Sequence, residues 1–176
     1  MTVQGMNHFV GGALHPLTVP AHVLILLGLG LGMGQHVPLR LGLALRCFAS
    51  CSALGLALTM TPWMPGVPPG VLAGIALVAG VLVALEMELP PLARGTLLAG
   101  GALAIGLDSG QSGGVGAELS ALLGTWLGLL IYLLNIAHYV SLAAERRKQW
   151  LQIGIRVAGS WIAAISLLVL AFALRK

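Results

Sequence analysis

"HPLTVPAHVLILLGLGLGMG", residues 15–34, sets two prolines and two histidines directly before an unbroken apolar run. From Val23 to Gly34 every residue is aliphatic, methionine or glycine. A half-buried strand would alternate with polar residues, and a fully buried one rarely exceeds about eight residues, so the run reads as a helix. Pro20 suits a first helical turn, with Thr18 or Val19 near the cap. A helix apolar on every face belongs in a protein core or in lipid.

The rest of the chain decides for lipid. Of 176 residues, 58% are hydrophobic and 8% charged, and the mean hydropathy is +0.98, far from the balance of a water-soluble domain. Six apolar stretches recur, at about 20–35, 40–59, 70–86, 92–107, 118–140 and 150–173. Most are long enough to approach or cross a hydrocarbon core about 30 Å thick at 1.5 Å per residue. The breaks "QHVPLR", "TPWMPGVPP", "EMELPP", "LDSGQSGGVGAE" and "AERRKQW" carry the proline, glycine or charge that ends a helix. The expected fold is an all-α polytopic membrane protein of about six transmembrane helices, with a short re-entrant or interfacial N-terminal segment. Residues 1–176 form one transmembrane domain. The fourth stretch is short, and five spans plus a re-entrant piece is the alternative.

The net charge of +4 needs no nucleic-acid partner, because most cations sit at the ends of apolar stretches. Arg40, Arg46, Arg94, Arg146, Arg147, Lys148 and Arg156 fall with the odd-numbered loops, against Arg175 and Lys176 on the other side. The positive-inside bias then places the odd loops in the cytoplasm and both termini on the outer face of a bacterial inner membrane. "MTVQGMNHFVGG" has neither the basic nor the apolar region of a cleavable signal peptide. No nucleophile–base arrangement, phosphate-binding loop, dinucleotide fingerprint or HExxH motif is present, so no enzymatic activity is expected.

With that orientation His8, His15, His22, Asp108, Ser109, Ser112 and Glu118 lie toward the outer face, and His36, Glu86, Glu88, Asn135 and His138 toward the inner one. Imidazole is a common ligand for nickel, cobalt, copper and zinc, and ionisable groups at membrane depth are candidates for function. Pro16 and Pro20 push His15 and Val19 toward extended backbone, so His15 should precede the helix and His22 lie in its first turn. On one continuous helix the rings would be separated by about 10 Å of rise; a proline break lets the chain fold back. The other reading of both histidines is as interfacial caps bonded to backbone or water.

Asp108 and Glu118 flank a glycine-rich turn and offer hard oxygen donors; the alternative is a plain external turn with Glu118 favoured by a helix N-terminus. Cys47 and Cys51, four apart, suit a soft metal that Met60 and Met64 could pass outward, or simply pack between helices. Asn135 and His138 read as a second polar station or an interhelical pair. Gly28 with Gly32, Gly30 with Gly34, and Gly124 with Gly128 make small-xxx-small pairs for close helix packing. Arg46 should snorkel to the inner surface.

"GGALHPLTVPAHVLILLGLGLGMGQ" resembles the first transmembrane signature of the HupE/UreJ family, small six-span membrane proteins regarded as nickel or cobalt permeases. His15, Pro16, Leu17 and His22 match the pattern. Val19 stands where the family has glycine, and Ala21 where an aspartate would precede the second histidine. The chain is more similar to a divergent branch with "HPL..PAH", a "GLDS" stretch (Gly106 to Ser109) and a "GTWLG" stretch (Gly124 to Gly128). The resemblance implies transition-metal passage with His15 and His22 as ligands and nickel or cobalt as cargo, with no tightly bound cofactor. Because Ala21 cannot coordinate, Asp108 or Glu118 is expected to supply the oxygen donor. The metal site then comprises His15, His22, Asp108 and Glu118, with His8, Asn135 and His138 as further stations. The missing carboxylate leaves copper, a small neutral molecule or a non-transporting membrane subunit as alternatives, with lipid and either a second copy or a partner subunit as neighbours.

Overall fold

The computed structural model describes residues 7–39, 41–61, 66–110, 115–146 and 148–175. Arg40, Met64, Ser112, Arg147 and Lys176, used above, lie outside them. Among the described residues seven helices follow one another: α1 His8–Thr18, α2 Pro20–Gly34, α3 Gly42–Leu58, α4 Pro69–Ala84, α5 Pro91–Asp108, α6 Val115–Glu145 and α7 Gln149–Leu174. No strand occurs among the described residues. Each of the six apolar stretches is one helix, α2 to α7, and three of them start on a proline whose missing N–H would have had no helical partner.

The helices differ in how well they match a bilayer. By length and composition α6 and α7 cross alone, and α1 with α2, bent by 76° at their junction, make a third candidate span. With 15, 17, 16 and 18 residues, α2 to α5 reach only about 22–27 Å. Short helices in a bundle are accommodated by local thinning of the bilayer.

His15 was expected in extended backbone ahead of the first helix; it lies inside α1, as does Pro16. Proline in a helix interior deprives the carbonyl four residues back of its partner. Here that carbonyl belongs to Gly12, and the Thr125 hydroxyl of α6 donates to it at 3.0 Å. The Tyr132 hydroxyl likewise donates to the Ala13 carbonyl at 2.9 Å. The hydrogen bond from Thr125 thus replaces what Pro16 removes, and that from Tyr132 adds a second tie between α1 and α6. The chain breaks instead at Val19, whose φ of −100° and ψ of 109° are extended.

Two helices approach so closely along this contact that glycine is obligatory. A Cβ on Gly12 would fall 2.0 Å from the Ala121 carbonyl oxygen, and one on Gly124 2.1 Å from that of Phe9. Gly28 and Gly34 serve α2 in the same way against Ala79 of α4 and Ala137 of α6, and of the small-xxx-small residues only Gly32 has room for a Cβ. α2 is the inner post of the bundle, lying against α6, α4, α7, α1 and α5, while α3 pairs with α5 and α4 with α7. Beneath His22 the centre is filled by Ile25, Leu29, Phe48, Leu98, Ile105 and Leu133, each no more than 3% exposed. Even a Cβ on Gly101 of α5 would meet Leu29 Cδ1 at 2.8 Å.

Candidate functional site

The bend at Val19 brings His15, one turn from the end of α1, beside His22 in the first turn of α2. Their ring centres are 5.7 Å apart and the planes are inclined by 71°. Two imidazoles bound to one ion through bonds of about 2.1 Å have ring centres roughly 4.6–6.5 Å apart, from a right angle to a straight line at the metal. The chain does fold back, and the 10 Å separation of a continuous helix does not apply.

His22 is fully buried. Its Nε2 lies 3.0 Å from Asp108 Oδ2 at the end of α5. An ionised carboxylate has only lone pairs to offer, so facing one, Nε2 is the donor of this bond. On the other side of the ring Nδ1 is buried with no partner, and so is Nε2 of His15. Buried polar atoms without partners are rare, and each calls for an explanation such as an absent water or ion.

Asp108 reaches this position because α3 and α5 lie nearly in backbone contact. A Cβ on Gly106 would be 2.8 Å from the Ser52 carbonyl oxygen and 3.0 Å from Gly55 Cα. Buried Ser109 closes the helix end by donating to the Ile105 carbonyl at 2.7 Å. The Asp108 side chain keeps 26% of its surface exposed, so the site opens toward the end of the bundle that carries the N-terminus of α2.

The remaining sequence candidates are placed elsewhere. His8 is the exposed first residue of α1. Glu118 lies half-buried in the first turn of α6, and no hydrogen bond or ion pair joins it to His15, His22 or Asp108. Asn135 and His138 are both exposed on α6 rather than turned into the bundle; Asn135 donates to its own helix at the Ile131 carbonyl, and His138 rests near the Tyr139 ring. Cys47 and Cys51 are half-buried free thiols. Among the described residues no three His, Cys, Asp or Glu side chains are placed to hold one metal ion together.

At the opposite end of α2, His36, placed toward the inner face from sequence, is joined by Gln35, which the sequence did not single out. Gln35 and His36, with Arg94, line a small cavity of about 30 Å³ that also touches Gly28, Gly32 and Met33. Gln35 Nε2 and His36 Nε2 are 3.2 Å apart, and Gln35 Oε1 is buried without a partner. The one signal in the sequence was position: "GQHVP" follows directly on the last turn of α2.

No curated protein and no solved structure matches this chain. The pattern of the HupE / UreJ protein family, by contrast, matches residues 1–169. That match takes in the histidine pair, Asp108 and six complete helices together with most of the seventh, and the chain belongs to the HupE/UreJ family.

Proposed function

We propose that the protein carries a divalent transition-metal cation, nickel first and cobalt second, across a bacterial inner membrane, and that His15 and His22 take up the ion. The observation that carries this reading is the pair of buried, partnerless imidazole nitrogens on rings 5.7 Å apart. A neutral imidazole with a free lone pair is what such an ion seeks. Two protein donors fall short of the four of a structural metal site, so water completes the coordination and the ion remains exchangeable. That suits a cargo better than a resident cofactor. The bias of basic residues toward the odd loops supports an outer-face location for the histidines and both termini.

The test is nickel accumulation by cells expressing the wild type or the His15→Ala, His22→Ala double variant at matched membrane levels. Accumulation should fall to the level of cells without the protein. Unchanged accumulation refutes the reading. A second reading, a non-transporting subunit that anchors a larger complex, draws on the exposed amide of Asn135, which could hydrogen-bond a neighbouring helix. Under that reading the double variant accumulates metal normally and a membrane partner co-purifies.

A further inference from the structure

We propose that Asp108 is not a ligand of the ion but the residue that points His22 at it, by holding the ring in the tautomer whose lone pair is on Nδ1. For its metal-binding readout the inference rests on the reading above; its first readout does not need a metal.

Asp108 Oδ2 accepts from His22 Nε2–H at 3.0 Å, which fixes the proton on Nε2 and leaves the lone pair of the neutral ring on Nδ1. That nitrogen is buried and free of any partner. An ion on Nδ1 at about 2.1 Å would lie roughly 7 Å from Oδ2, across the ring, whereas a metal–oxygen bond is about 2.0–2.2 Å. One ion therefore cannot bind His22 through its free nitrogen and Asp108 together. To reach Asp108 as a ligand it would have to displace the hydrogen bond already made.

A carboxylate behind a ligating histidine orients the ring and raises its basicity, and losing such a partner typically weakens metal binding by about 10–100-fold. The chain builds support for this partner. The close approach of α3 and α5 at Gly55 and Gly106, with the Ser109 bond to Ile105, anchors the helix turn that carries Asp108. Ala21, which precedes His22, has no carboxylate; the polar partner of this ring comes from 86 residues away.

The experiment uses the full chain in detergent micelles with 15N-labelled histidine. The chain has five histidines, and the His22→Gln variant assigns the signal. Without metal, wild-type His22 should be neutral with its proton on Nε2, and Asp108→Ala should redistribute that proton between the two nitrogens. Calorimetric titration with Ni2+ should then show an affinity about 10–100-fold lower in Asp108→Ala. A wild-type proton on Nδ1, or a tautomer unchanged in Asp108→Ala, overturns the proposal. If Asp108→Ala does not fold, the wild-type spectrum and the shape-preserving Asp108→Asn decide. The asparagine amide can either accept from or donate to Nε2, and both tautomers should appear. If the tautomer behaves as stated but the wild type binds no Ni2+, the positioning role stands and the metal reading falls.

Discussion

Replacing Thr125 by valine tests how the chain keeps a proline inside α1. The shapes are nearly equal, so what is lost is one hydroxyl, lying 3.0 Å from both the Gly12 and the Ala121 carbonyl oxygens. Ala121 retains its place in the α6 ladder. Gly12 does not have that recourse, because residue 16 is proline. A buried carbonyl left without a donor costs about 1–3 kcal/mol, while polar contacts between membrane helices average about 0.6 and reach about 1.7 kcal/mol. Thr125→Val should therefore destabilise the fold by about 1–1.5 kcal/mol.

Pro16→Ala restores an N–H that can reach the Gly12 carbonyl along the helix. In that background Thr125→Val should cost no more than about 0.5 kcal/mol, a coupling of about 1 kcal/mol, or roughly fivefold in the unfolding equilibrium. Any loss from the space Pro16 leaves behind cancels in the cycle. The assay is equilibrium unfolding of the four proteins in mixed micelles, followed by tryptophan fluorescence. Additivity of the two changes within about 0.3 kcal/mol refutes the explanation.

Two further outcomes follow from backbone geometry. Gly106→Ala should push α3 from α5, because its Cβ would strike backbone atoms of Ser52, Gly55 and Leu56 at 2.8–3.0 Å; overpacking of this kind costs about 1–3 kcal/mol. Its unfolding midpoint and Ni2+ affinity should both fall, while Gly74→Ala, which meets nothing within 4 Å, leaves both intact. Glu86 ends α4 with a φ of 53°, its N–H bonding Val83 and that of Met87 bonding Leu82, an arrangement that normally uses glycine. Glu86→Gly should stabilise the protein by about 0.5–1 kcal/mol in the same assay, since the ion pair it gives up, 4.0 Å long and half exposed on both sides, contributes little.

Helices α2 to α7 were legible because each is an apolar run bounded by proline, glycine or charge, and lipid leaves the backbone no alternative to the helix. α1 was not. Gly11, Gly12 and Pro16 argue locally against a helix, and the groups that overrule them, Thr125 and Tyr132, stand 113 and 119 residues from the carbonyls they serve. For the site, the sequence put His15, His22, Asp108 and Glu118 at one end of the bundle but could not separate them. Asp108 joins His22 because Gly55 and Gly106 let α3 and α5 touch, whereas Glu118 rides on α6 beside a different set of neighbours. For Asn135 and His138, a spacing of three places both on one side of a helix without saying which side; the structure exposes them because Leu129, Leu133 and Ala137 take the inward one.

The plug of side chains under His22 governs how anything could cross. Ile25, Leu29, Phe48, Leu98 and Ile105 pack there with almost no exposed surface, and an ion cannot shed its hydration into such a medium and pass. If the protein carries an ion as proposed, cargo taken up at His15 and His22 must wait for neighbouring helices to slide or tilt. Traffic would be counted in single turnovers limited by that rearrangement, and electrical recording would find steps too small to resolve rather than the open-channel currents of a pore.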